Sequence, residues 1–179
     1  MIFATIGTQL PFNRLLSGLN SWAARNASVP VFAQVGSTSH CFRYLNTVSA
    51  MSQSEFRQNF QTARLVVAHA GMGTILSALE LGKPLVIMPR RTQFGEHRND
   101  HQQDTAHEMA RFPNVVVARD GEDLHSTLDR ALDSNFAWPP TASLENDEPA
   151  AILEALREFV WAQQAAPGHT VQHGVRPRA

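Results

Sequence analysis

LVVAHAGMGTILSALELGKPLVIMPRRTQFGEHRNDHQ, residues 65–102, is the stretch that decides the fold. Residues 65–68 and 85–88 are short, unbroken apolar runs, the mark of strands covered on both faces in a parallel sheet. Between them, Ile75, Leu76, Ala78, Leu79 and Leu81 recur at helical spacing, so a helix is expected over residues 74–81. Gly82 is placed to cap that helix at its C-terminus, and Pro84 prevents its continuation. The unit is strand, helix, strand with tight connections. Its polar residues gather where the strands end, which is where open α/β sheets bind ligands.

The same alternation extends outward in both directions. Residues 1–6 read as a strand broken by Gly7 and Thr8, and Pro11 marks a helix start with Phe12, Leu15, Leu16, Leu19, Trp22 and Ala23 on one face. Residues 31–35 read as a second strand, and residues 44–51 as an extended connection. Ser52 and Glu55 form a capping box that opens a helix with Phe56 and Phe60 facing inward. Downstream, a helix over residues 99–110, a strand over 115–118 and a helix opened by Asp120 complete the pattern. The expected fold is a doubly wound, Rossmann-like α/β domain over residues 1–133. A polar linker is expected over 134–148, a final helix over 149–164, and a disordered tail over 165–179. In that final helix Ile152, Leu156, Phe159, Val160 and Trp161 either dock a partner or cover the domain's own sheet.

Composition narrows the function. The 179 residues are 43% hydrophobic and 17% charged with a net charge of -1, which argues against a nucleic-acid binder. No apolar stretch approaches the roughly 20 residues of a membrane span, and the N-terminus lacks the features of a signal peptide. The single cysteine, Cys41, forms no internal disulfide, so a cytoplasmic setting is expected.

His69, Ala70, Gly71, Met72, Gly73 and Thr74 lead from a strand into a helix. Glycines there let backbone N–H groups approach an anion, and the helix terminus adds partial positive charge. The turn is neither a P-loop nor a dinucleotide fingerprint, since no Gly-Lys-Ser/Thr follows and Leu76 stands where a third glycine would be. It reads either as a diphosphate cradle or as a tight turn without a ligand. The second cluster, Arg90, Arg91, His97, Arg98, Asp100, His101 and Gln102, follows the next strand and would lie beside it. Its cations suit a diphosphate, and Asp100 or Gln102 suits sugar hydroxyls. The alternative is a solvated helix start, because the surrounding charges balance. His97 and His101 have the i, i+4 spacing of metal ligands, but the HExxH pattern is absent and no metal site is expected. Ser17 and Ser77 lack a nucleophile elbow.

Taken in order, HAGMGT, GKP, IMPRR and GEHRNDHQ resemble the C-terminal half of glycosyltransferase family 28 enzymes. The likeness is strongest to the small stand-alone Alg13-like proteins and the PssE/EpsF-like exopolysaccharide subunits. MIFATIGTQLPFNRLL resembles the start of the same group. The resemblance implies one half of a GT-B enzyme that binds a nucleotide-sugar, usually a UDP-sugar, without a bound cofactor. It assigns Gly71, Met72, Gly73 and Thr74 to the diphosphate, with His69 and Ala70 beside them and Arg90 near by. His101 and Gln102 match the family's His-Gln pair, Gly7 and Thr8 line the cleft, and Gln34 and Gly36 match a looser Gln-x-Gly feature. Many relatives carry an acidic ribose ligand where this chain has Ser77, and Glu80, one helical turn on, is the substitute available. The resemblance also implies an Alg14-like or PssD-like membrane-anchored partner that binds a lipid-linked acceptor. The chain would then sit at the inner face of the plasma membrane. The catalytic base is unassigned, with His97 as the candidate. Two other readings share the fold: a self-sufficient homodimeric enzyme, and a non-enzymatic nucleotide-binding or scaffold module.

Overall fold

A computed structural model describes residues 1–136 and 138. The final helix and tail expected beyond them lie outside the described residues, as does most of the linker. The elements run β1 (Ile2–Thr5), α1 (Asn13–Arg25), β2 (Val31–Gln34), β3 (Asn46–Val48), α2 (Gln53–Thr62), β4 (Leu65–His69), α3 (Met72–Glu80), β5 (Leu85–Met88), α4 (His101–Met109), β6 (Val115–Val117) and α5 (Gly121–Leu132). The six strands form one sheet in the order β3-β2-β1-β4-β5-β6, and every pairing is parallel. The chain winds outward from β1 through β2 to β3, then returns to place β4 against the other side of β1. The strand order reverses there, so a crevice opens between the C-terminal ends of β1 and β4.

Alternation along the strands divides the core into two layers. Ile2, Ala4, Leu65, Val67, Val86 and Met88 pack with Leu15, Leu16, Leu19 and Trp22 of α1 and Leu124 and Leu128 of α5. On the opposite face Phe3 stacks on Phe32 and meets the edges of Phe56 and Phe60 of α2. Gly18 lets α1 approach α5 closely, since a Cβ there would sit 3.1 Å from Leu124. Trp22 joins the same two helices by donating its indole N–H to Asp129 at 2.7 Å.

The terminal signals act as their residue types dictate. Ser52 and Glu55 form the reciprocal capping box at α2, and Asp120 accepts from the Asp123 N–H at α5. Gly82, at φ 59°, ends α3: its N–H bonds Leu79 and the next N–H, of Lys83, bonds Ala78, the paired bonds of a Schellman motif. Two expectations change. Residues 46–48, read as part of an extended connection, are the edge strand β3, formed by pairing with β2 rather than by any apolar pattern of their own. Trp138, in the stretch read as linker, donates to the Ala131 carbonyl of α5 and packs on the core.

Candidate functional site

The crevice at the reversal of strand order is a cleft of about 420 Å³ lined by the β1–α1 loop, the start of α3, Phe56, His69, Arg90, His97 and Gln102. Its floor is the turn from β4 into α3. No side chain caps α3, whose N-cap is Gly71. The N–H groups of Met72 and Gly73 meet no acceptor among the described residues, so the dipole end of the helix faces the cleft uncovered. Thr74 follows, buried, with its hydroxyl unpaired among the described residues.

The three glycines of the floor and the first loop divide by cause. A Cβ on Gly71 would come within 2.1 Å of His69 Nε2, and one on Gly7, where φ is 74°, within 2.8 Å of His69 Cε1. The His69 ring is thus pressed between two glycines that its presence makes obligatory. Gly73 is different: a Cβ there would meet nothing within 4 Å. No atom of the described chain requires a glycine at that position, whereas a ligand approaching the helix terminus would.

His69 is held neutral, its pKa pushed down from 6.5 to about 4 by burial and by the Arg90 charge, with His97 adding to it and the Thr5 backbone opposing. Its Nδ1 is buried without a hydrogen-bond partner among the described residues. Arg90 lies under the cleft rather than reaching into it. Its Nη1 donates to the carbonyls of Pro11 and Glu96, and its Nη2 to those of Ile6 and Leu10, at 2.6–3.1 Å. All four terminal N–H donors are therefore committed to the backbone, so the expected direct contact with a diphosphate gives way to stapling of the β1–α1 loop. Burial lowers the Arg90 pKa to about 10, opposed by the Glu96 carboxylate, and the group remains cationic.

Glu96 in turn is gripped by Arg14 through two bonds of 2.8 Å and accepts the Arg91 N–H at 3.0 Å. This partly buried pair, 82 residues apart in sequence, fixes the polar loop and carries no sequence signal. Asp100, expected to face sugar hydroxyls, has both oxygens on Thr92, and these bonds hold its pKa below the usual carboxylate range. Gln102 lines the cleft, its carbonyl oxygen accepting from the Arg90 N–H at 3.1 Å. Its amide NH₂ has no partner among the described residues.

The other expected site residues fall on and off the cleft. Thr8 lines it. Gln34 does not: its amide bridges the Thr5 hydroxyl and the Gly7 carbonyl, holding the first loop from behind. Gly36, at φ 59°, turns the chain after β2 and bonds Ser49. Ala70 is buried in the turn, its N–H on the Met88 carbonyl. His101 points away, with 59% of its side chain exposed beside Asp104. His97 lines the cleft from a loop while His101 opens α4, so the i, i+4 spacing does not place them on one helical face. His97 Nδ1 is tied to the Asn99 side chain at 2.9 Å, and Nε2 is left unpaired among the described residues. Ser77 and Glu80 line a neighbouring hollow of about 160 Å³ with Gln53, Arg57 and Phe60. Phe56, read from sequence as core, borders both hollow and cleft and joins them. Gln9 and Leu10, also on the cleft rim, lie in the family-like opening stretch, which assigns neither of them to the site.

The fold is similar to that of solved glycosyltransferases. The glycotransferase of kitacinnamycin matches with a TM-score of 0.60 at 16% identity over 90% of this chain and 42% of that one. MurG of Acinetobacter baumannii matches with a TM-score of 0.58 at 16% identity over 90% of this chain and 49% of that one. The chain spans under half the length of these two proteins. ALG13 matches with a TM-score of 0.52 at 19% identity over 79% of this chain and 90% of that one. At these identities the likeness is one of fold, a single Rossmann-like half of the GT-B architecture. The sequence model of the glycosyltransferase family 28 C-terminal domain matches residues 1–152. The chain belongs to that family.

Proposed function

We propose that this chain is the donor-binding subunit of a two-chain glycosyltransferase that moves a sugar from a nucleotide-sugar, in the first instance a UDP-sugar. The observation that carries the reading is Gly73, whose absent side chain opens an uncapped helix terminus to the cleft at the reversal of strand order. The diphosphate lies on the N–H groups of Met72 and Gly73, and the nucleoside runs past Phe56 into the hollow of Ser77 and Glu80. The sugar faces Thr8, His97 and the Gln102 amide. Departure of the diphosphate is assisted by fixed dipoles and by the Arg90 charge beneath the floor, with no metal in the reaction.

The acceptor is a lipid-linked saccharide of surface polysaccharide synthesis, presented by an Alg14-like or PssD-like membrane-anchored subunit at the cytoplasmic face of the membrane. A second reading, a nucleotide-binding module without transfer activity, is favoured by one observation. Ser77 stands where relatives carry an acid, and it directs its hydroxyl to the Gly73 carbonyl at 3.0 Å. The test is calorimetric titration with UDP, with and without magnesium, beside Gly73→Asp. Metal-independent binding that the carboxylate abolishes is expected, and binding that survives the substitution refutes the site. Transfer restored by the partner subunit then separates the enzyme from the module.

A further inference from the structure

We propose that the diphosphate enters this cleft together with one proton from solvent, taken up by the His69 imidazole, so that the leaving group is met by an imidazolium present only while it is bound. The proposal rests on the donor-site reading and adds to it how the charge is supplied.

A neutral imidazole has one N–H for two nitrogens. Nδ1 of His69 is shut away from solvent with no partner among the described residues. Nε2 lies between the two loops that frame the cleft, 2.1 Å from a Cβ built on Gly71 and 3.1 Å from one built on Gly7. If the hydrogen is on Nε2, Nδ1 is a buried lone pair with no donor. If it is on Nδ1, towards the Thr5 backbone, Nε2 turns a lone pair on the phosphate oxygens. Protonation removes the conflict at the ligand, because Nε2 can then donate to a phosphate oxygen while Nδ1 keeps its hydrogen towards the Thr5 backbone.

The empty cleft opposes that protonation. Arg90 at the end of β5 and His97 in the following loop are the charged or titratable groups facing the ring, and both disfavour a second cation. The β1–α1 loop contributes Gly7, Thr8, Gln9 and Leu10, α3 contributes Met72, Gly73 and Thr74, and α2 contributes Phe56, none of them a carboxylate. Glu96, the acid that acts on Arg90, is committed to Arg14. A bound diphosphate supplies the missing negative charge and reverses the balance. The proton comes from water or buffer as the donor binds and returns there when the nucleoside diphosphate leaves.

The test is calorimetry with UDP-glucose, whose phosphates do not titrate near neutrality, in two buffers of different ionisation enthalpy. UDP serves as a second ligand above about pH 8, where its terminal phosphate is fully ionised. Uptake approaching one proton per ligand is expected between the free and the complexed pKa of His69, with affinity falling about tenfold per pH unit across that window and levelling off above it. His69→Gln should abolish the uptake and flatten the pH profile. Binding without proton exchange, or uptake that persists in His69→Gln, overturns the proposal alone. Failure of both ligands to bind at any pH overturns the donor site, and the proposal with it.

Discussion

Gly71 and Gly73 stand two residues apart at the start of α3 and are glycines for opposite reasons, so alanine should move them in opposite directions. In Gly71→Ala the new methyl falls 2.1 Å from His69 Nε2 and 2.8 Å from Cδ2 and Cε1. The ring cannot retreat, because Gly7 already holds its other side. Overpacking of this kind costs roughly 1–3 kcal/mol. In Gly73→Ala the methyl meets nothing within 4 Å, and the position is helical. The substitution therefore gains about 0.4–1 kcal/mol through the unfolded chain and through helix propensity. In a domain of this size 1 kcal/mol moves Tm by about 2–4 °C. Gly71→Ala should melt several degrees below the parent, and Gly73→Ala slightly above it. Binding should not follow stability. The Gly73 methyl lies where the helix N–H groups meet the diphosphate, and losing one charge-assisted hydrogen bond of about 1.5–3 kcal/mol weakens UDP roughly 10- to 150-fold. Thermal melts without ligand and calorimetry with UDP read the two effects separately. A Gly73→Ala protein that melts lower than the parent, or binds UDP equally well, refutes the reasoning.

Arg90→Met strips donors from four backbone carbonyls in the β1–α1 loop and beside it. It should cost about 3 kcal/mol or more by urea unfolding, with Arg90→Lys recovering little, since one ammonium cannot span four acceptors. Glu96→Gln removes the charge that answers Arg14 in a partly buried pair. A loss of roughly 2–4 kcal/mol is expected, and a denaturation midpoint unchanged from the parent would remove that pair from the account of the loop. The folded pKa of His69, about 4, lies below its ordinary 6.5. The unfolded chain therefore takes the proton first, and stability is lost as pH falls from about 6.5 towards 4, by up to about 3 kcal/mol. His69→Gln should flatten that part of the urea profile. Trp22→Phe removes the 2.7 Å bond to Asp129 and should lower stability by about 1–2 kcal/mol without altering UDP binding.

What the sequence discloses here is local. Unbroken apolar runs at β4 and β5, the capping box at Ser52 and the stop at Gly82 and Pro84 each depend on residues a few positions apart, and each takes the form its residue types dictate. β3 escapes notice because two of its three residues are exposed and its strand character comes from β2, twelve or more residues away. Composition identifies the polar loop after β5 as rich in Arg and His but gives no direction to any side chain. Arg90 turns inward onto three carbonyls of the β1–α1 loop and the carbonyl of Glu96 in its own loop. Arg91 is placed differently, with its Nε buried and unpaired among the described residues. Gln34 and Phe56 make the same point from opposite sides: a residue attached to the site by motif supports it from behind, and a residue attached to the core by spacing borders the cleft.

The lining also limits what chemistry the cleft performs alone. Of the residues around it, Arg90 is committed to carbonyls, His69 is neutral with a folded pKa of about 4, and none is a carboxylate. A group poised that low is almost wholly deprotonated at neutral pH but is a feeble base, and its position on the floor faces the leaving group rather than an incoming hydroxyl. His97, on the rim with Nδ1 held by Asn99, is the one lining side chain suited to activate an acceptor. On the proposed reading, the described residues around the cleft serve a departing diphosphate and offer a single histidine for the nucleophile. That asymmetry is what the proposed donor subunit requires: in that reading the dipoles for the leaving group belong to the turn from β4 into α3, whereas the geometry of attack depends on what presents the acceptor across the open side of the cleft.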